Sequence, residues 1–317
     1  MTTRTDLAVD ETVHQGEPAV RLRAGTLSFA VLPQLGLTGV SLRHADGEFL
    51  ALPGGLDVLR EGRTSGFPLV GPWGNRLAGN RYRAGGVEVD LGDALASGRV
   101  RTDADGLPIH GFLSGRSRWS VDASGVREDH AFLRASTPVD DPAFPFPHTV
   151  TVDLLARPDR LEVRTTVSPT GDRPVPLTYG WHPYLVVPGT PRERWRLRTP
   201  AWDHLLLDGR GIPTGERRAE PAADALIGDR TFDDLYAFAP SSGGRQLAFA
   251  GEDGRSVTIA CGDGYGHAQV WVPAGKEFAS LEPMAAPTDA LSTGDFSVAD
   301  PETGHTSSFE VHFTAPA

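Results

Sequence analysis

Glycine and proline interrupt this chain at short intervals, and that punctuation limits its fold more than any other feature. The 317 residues include 37 glycines and 26 prolines. Glycine ends regular elements through its loose backbone, and proline through its missing N–H. Apolar stripes of period 3.6 are scarce between them. Period-two runs bounded by turn residues are frequent, as at residues 19–23, 26–32 and 39–43. Residues 148–155 and 161–167 flank Arg157, Pro158, Asp159 and Arg160. Proline presets φ there and aspartate bonds its own backbone, so the segment reads as a hairpin. A second hairpin is expected from residues 246–250 and 256–261, and a strand pair from residues 268–272 and 278–282. The last strand is expected at 308–313, and the best helix signal is short, at 221–226. The Arg-rich residues 191–198 mix both signs of charge and read as a solvated strand. This pattern predicts an all-β sandwich of antiparallel sheets with few short helices. The polar residues 1–17 are expected to be loose, and residues 18–317, which show no linker-like break, to form a single domain.

The formal net charge of −11 argues against a nucleic-acid partner, because an acidic surface repels a phosphate backbone. It also disfavours long-range steering of a phosphorylated substrate. The single cysteine, Cys261, cannot form an intrachain disulfide or a CxxC site, and its strand-like setting reads as a buried thiol. No apolar leader follows Met1, and no apolar run approaches the roughly 18 residues of a membrane span. A cytoplasmic protein without a membrane partner is the expectation.

Five stretches set reactive side chains on turn-like backbone. In the first, Tyr179, Trp181 and Tyr184 surround His182. Flat aromatic faces beside an imidazole that titrates near neutral pH suit the wall of a sugar pocket. Pro183 holds His182 in extended backbone. Read alone, the same stretch fits a buried aromatic turn with a hydrogen-bonded histidine better. Asn75 and Arg76 lie between glycines, where a guanidinium fork suits paired hydroxyls or a carboxylate, or simply decorates a surface turn. His110 precedes Gly111, which permits a tight turn or the close approach of a ligand. Asp233 and Asp234 are adjacent in a strand-like run, so at most one of them points into a pocket. Glu282 ends an apolar run between Leu281 and Pro283. Burial there raises a carboxyl above its ordinary value of about 4.3 and makes it a stronger base. There is no HExxH metal motif, no phosphate-binding GxxxxGK[ST] loop and no GxSxG elbow, so no metal or nucleotide cofactor is expected.

Taken in chain order, Asn75–Arg76, His110–Gly111, His182–Pro183–Tyr184, Asp233–Asp234–Leu235–Tyr236 and Glu282–Pro283 resemble the motif series of the aldose 1-epimerases, the galactose mutarotase-like proteins. The resemblance spans about residues 20–315. It implies a β-supersandwich, in which two large antiparallel sheets carry a sugar in an open cleft. It also implies interconversion of the α and β anomers of an aldose by opening and closing of the ring. On that reading Glu282 is the base for the C1 hydroxyl and His182 the acid for the ring oxygen. His110 supports the acid. Arg76 and Asp233, with Asn75 beside them, bind sugar hydroxyls. Trp181 or Tyr184 offers a face for stacking, an inference from side-chain character. Asp233, three residues before Tyr236, fits the family spacing better than Asp234. No cofactor is implied, and the partner is the monosaccharide, taken up by a monomer or a homodimer.

A free monosaccharide such as glucose or galactose is the leading substrate. The residues around His110 look more like the branch that includes the hexose-6-phosphate mutarotases, which makes a phosphorylated hexose the alternative. That alternative needs an arginine cluster, for which Arg76, Arg81 and Arg116 are the candidates. A non-catalytic sugar-binding module on the same fold is a further alternative.

Overall fold

A computed structural model describes residues 6–239 and 244–316. The larger of its two main sheets has nine strands. Its order is Ser120–Val126, Ala131–Asp141, Phe144–Arg157, Arg160–Pro169, His305–Thr314, Ser256–Cys261, Gln246–Ala250, Arg196–Thr199 and Ala223–Leu226. The hairpin around Pro158 lies within it, with Arg157 opposite Arg160 and His148 opposite Pro169. The last strand sits between two segments distant in sequence, with Val311 opposite both Leu161 and Ile259. That placement ties the two halves of the chain into one sheet.

The second main sheet runs in the order Pro213–Glu220, Trp202–Leu207, Phe232–Phe238, His267–Val272, Ser280–Met284, Gly180–Trp181 and Leu69–Val70. Its inner face packs on the first sheet. Trp181 stands 6.1 Å from Phe309 between ring centres, and its indole N–H donates to the Thr165 hydroxyl at 3.1 Å. Phe67 and Tyr265 close the same aromatic layer against Phe309. A contiguous apolar cluster extends from Leu22 to Val311. Gly180 is required where the sheet closes, because a Cβ there would stand 2.9 Å from the Pro283 carbonyl oxygen as well as meeting the Met284 side chain. Among the described residues, no helix is long and apolar enough to cross a membrane.

Two local expectations give way to pairing between distant segments. Residues 7–14 are not loose. Leu7–His14 is a full strand, paired with Glu17–Ala24 over its whole length and held by an ion pair between Arg23 and Asp10 at 2.9 Å. Its alternation was hidden by polar residues because it is the edge of a five-stranded sheet, with Leu7 and Val9 turned to the core. The short helix expected at 221–226 is also absent. Ala223–Leu226 is an edge strand paired with Arg196–Thr199, so sheet hydrogen bonds override a weak local helix preference. That same partner strand bears out the strand reading of the Arg-rich segment, although Arg192–Arg194 just before it forms a 3-10 turn.

Trp181 thus belongs to the core rather than to a sugar platform. Trp181→Ala is expected to lower the unfolding free energy by about 3–5 kcal/mol in urea denaturation. Trp181→Phe, which keeps most of the ring contacts, should cost clearly less.

Candidate functional site

The outer face of the second sheet carries the site. Strand alternation sends Ala268, Val270 and Val272 to the core, and Gln269 and Trp271 to the other face. Gln269 lies directly opposite Glu282 on the strand to one side, and Trp271 opposite Asp233 on the strand to the other. The backbone continues this pattern past Trp181, as the amides of His182 and Tyr184 donate to the carbonyls of Pro68 and Gly66. These side chains line a cleft of about 350 Å³ together with Asn75, Arg76 and His110.

At its floor His182 Nε2 lies 3.4 Å from Glu282 Oε1, and both side chains are buried. The imidazole is boxed by rings. Tyr184 stacks on it at 4.8 Å, while Trp271 and His110 meet it edge-on at 5.3 Å and 5.4 Å. Little water reaches either group, and both are driven toward their uncharged forms. Burial, aided by the charge of Asp233, raises the Glu282 carboxyl well above its ordinary range. Burial lowers His182 to about 4. A proton shared by the pair therefore rests on the carboxyl, whereas ordinary values would place it on the imidazole.

His110 is held by an exchange between two loops. Its amide donates to the Asn75 carbonyl at 2.9 Å, and the Asn75 amide donates back to His110 Nδ1 at 3.1 Å. Burial, with His182 and Arg76 nearby, pushes His110 well below its ordinary value, so the ring is neutral. Because Nδ1 accepts, the ring hydrogen is on Nε2, where it can be donated. Both residues have left-handed backbone, with φ of 57° at Asn75 and 61° at His110. Gly111 follows at φ 57°, and a Cβ there would stand 2.3 Å from the Gly71 carbonyl oxygen.

Arg76 is the hub of the opposite wall. It donates to Asp103 at 2.7 Å, to Asp233 at 3.0 Å and to the Asn75 side-chain oxygen at 3.1 Å. Asp233 also accepts from Gln269 at 2.7 Å. Against the cost of burial, the two carboxylates keep Arg76 firmly charged. The wall thus presents fixed donors and acceptors side by side, the pattern that matches neighbouring hydroxyls.

Glu282, His182, His110, Arg76, Asp233, Asn75 and Tyr184 all come together at the cleft, whereas Trp181 faces the other way. Tyr184 gives one face to His182, and its hydroxyl is 2.8 Å from that of Thr64. Asp234 turns from Asp233 toward His204, at 3.5 Å. Gln269 and Trp271 were missed, although a polar Gln two residues from a Trp in an otherwise apolar strand was a usable signal. Arg81 does not reach the cleft and pairs with Asp90. Arg116 lies behind Gly62, and the arginines that line the cleft besides Arg76 are Arg63 and Arg101. Among the described residues, no group of three or more His, Cys, Asp or Glu side chains is placed to hold a metal ion.

The family described as Aldose 1-epimerase matches residues 18–310. A comparison with curated proteins found no match. Solved structures show the same fold at low identity. A galactose mutarotase-like protein from Clostridium acetobutylicum is 17% identical, with 98% of this chain and 99% of that one covered and a TM-score of 0.84. A putative aldose 1-epimerase from Escherichia coli is 17% identical, with 98% and 99% covered and a TM-score of 0.72. A galactose 1-epimerase from Lactobacillus acidophilus is 10% identical, with 99% and 100% covered and a TM-score of 0.75.

In the ligand-free protein the ring protons of His182 should titrate by NMR with a midpoint of about 4. A midpoint near the ordinary histidine value of about 6.5 would show that the cleft floor is wetter than its burial indicates.

Proposed function

The chain belongs to the aldose 1-epimerase family, and on that premise we propose that it interconverts the α and β anomers of a monosaccharide by acid/base ring opening. The observation that carries this reading is the buried pair at the cleft floor, His182 Nε2 and Glu282 Oε1 at 3.4 Å. Ring opening removes a proton from the C1 hydroxyl and adds one to the ring oxygen while the C1–O5 bond breaks. The step starts from the form of the pair in which its one proton lies on His182 and Glu282 is a carboxylate; Glu282 then takes the first proton and His182 gives the second. The open-chain aldehyde is then held by a protonated carboxyl and a neutral imidazole. Rotation about C1–C2 exposes the other face, and closure returns both protons. Burial favours the neutral pair, so the cleft stabilises the protonation state that accompanies the intermediate.

The other groups orient the sugar. The His110 Nε2 hydrogen supports the oxygen that changes charge. Arg76, Asp233 and Gln269 bind hydroxyls, and Trp271 offers the free aromatic face that Trp181 cannot. A non-catalytic sugar-binding module has no need of this floor. Burying a carboxyl against an imidazole costs desolvation energy that hydroxyl recognition does not recover.

Anomer exchange measured by NMR or polarimetry tests the proposal. Glu282→Gln keeps the shape of the side chain and is expected to lower kcat by about 10²–10⁴-fold, with sugar binding largely kept. Catalysis at the wild-type rate in that variant would remove Glu282 from the mechanism.

The pH profile of kcat/KM gives a separate test. Activity needs one proton on the pair. Below about 4 both groups carry a proton and no base remains. Above the raised value of Glu282 both are bare and no acid remains. The acid limb should therefore fall at about 4 and the alkaline limb be set by the raised carboxyl, whereas ordinary values would assign the alkaline limb to the imidazole at about 6.5.

A further inference from the structure

A histidine that moves protons is commonly oriented by a hydrogen bond at its second ring nitrogen. His110 has one, from the Asn75 amide to Nδ1. In His182 the Nδ1 atom is buried, and no other residue among those described gives it a hydrogen bond, while Nε2 faces Glu282. Aromatic rings surround the imidazole instead. Tyr184 lies almost parallel to it, with 16° between the planes, whereas Trp271 and His110 stand at 73° and 81°. Of the three, only the parallel ring fixes the plane of the imidazole. Tyr184 is itself anchored from several sides. Its amide donates to the Gly66 carbonyl at 2.7 Å, and its carbonyl accepts from the Ala51 amide at 2.8 Å. Its hydroxyl is bonded to that of Thr64, and its ring meets Trp271 and Phe278 at 5.5 Å and 5.3 Å. Residues two apart in extended backbone point to one side, so the spacing of His182 and Tyr184 around Pro183 builds the stack.

We propose that Tyr184 is a positioning residue: its ring takes the place of the missing hydrogen bond and holds the His182 imidazole with Nε2 turned to the reacting atoms. The inference rests on the ring-opening reading above, in which His182 must reach the ring oxygen while Glu282 reaches the C1 hydroxyl. A misplacement of about 1 Å slows such a transfer about 10²-fold. The face that Tyr184 gives to the imidazole is closed to a sugar, and the side chain is buried. Its contribution therefore falls on the proton transfer and not on sugar affinity.

The experiment compares the wild type with Tyr184→Leu and Tyr184→Phe, using glucose and galactose. Exchange NMR gives kcat and KM, calorimetry gives sugar affinity, and NMR of the imidazole nitrogens reports on the His182 ring. Tyr184→Leu should lower kcat by about 10–100-fold, with KM and affinity kept within about threefold. Tyr184→Phe retains the parallel ring and should bring kcat back to within about threefold of the wild type. The His182 nitrogens should give one sharp set of signals in the wild type and in Tyr184→Phe, and exchange-broadened signals in Tyr184→Leu. If Tyr184→Leu does not fold, Tyr184→Met takes its place with the same expected results, because its flexible chain refills the space without a fixed plane. A raised KM and weakened affinity with kcat kept would make Tyr184 a sugar-binding face and overturn the proposal. A wild-type kcat in Tyr184→Leu, or a loss of sugar binding in step with kcat, overturns it as well. If no sugar exchanges in the wild type, the ring-opening reading fails by itself. The His182 signals then still decide whether Tyr184 holds the ring, and a sharp set in Tyr184→Leu shows that it does not.

Discussion

The cleft depends on a constraint of extended backbone, which turns neighbouring side chains to opposite faces of a sheet. Trp181 goes into the core and His182 into the cleft. Leu281 and Glu282 divide in the same way, as do Val270 and Gln269. Each of these cleft residues has a core residue beside it, and the packing that stabilises the sandwich also sets the position of His182, Gln269 and Glu282. The backbone ladder between Gln269 and Glu282 then fixes their separation without help from side-chain contacts. A site built on a ladder loses little entropy when substrate binds, and acid/base transfer across a short gap needs that precision.

Removing water from this floor acts differently on its two kinds of polar group. Arg76 is taken from water with its partners in place, Asp103, Asp233 and Asn75 accepting its hydrogen bonds, and Gln269 ties Asp233 to the same wall. Arg76 stays charged. Glu282 and His182 are taken from water with little besides each other, so both lean toward neutrality. The two neighbouring carboxylates thus carry different work. Asp233 is tied to Arg76, as a hydroxyl-binding group would be on the proposed reading, whereas burial drives Glu282 toward its acid form. The 3.4 Å separation lets one proton serve the pair without a net change of charge in the floor.

Much of this was legible in the sequence because it rests on short-range rules. The hairpin at Pro158 and Asp159 follows from turn chemistry, and its register agrees. Period two separated Asp233 from Asp234 before any fold was in view. What could not be read was pairing between distant segments. The polar strand Leu7–His14 shows its alternation only against its partner, and Ala223–Leu226 is extended only because Arg196–Thr199 lies beside it. The same limit hid the face of Trp181. An aromatic beside a reactive histidine reads as a pocket wall until the sheet direction is known. Arg81 and Arg116 read as candidates for an arginine cluster, whereas Arg63 and Arg101 are the arginines that line the cleft beside Arg76.

The strained loops beneath the cleft argue for the same division of labour. A left-handed conformation costs a residue other than glycine about 1–2 kcal/mol, yet both Asn75 and His110 adopt it. Each supplies what holds the other, since the Asn75 carbonyl takes the His110 amide and His110 Nδ1 takes the Asn75 amide. A sequence free to relax would lose both turns together. What the exchange secures is the tautomer of a neutral histidine. With Nδ1 occupied by a backbone donor, the ring cannot carry its hydrogen there, and burial keeps a second proton off. His110 is thereby fixed as a donor and excluded as an acid, which on the proposed reading leaves the proton traffic of the cleft to His182 and Glu282.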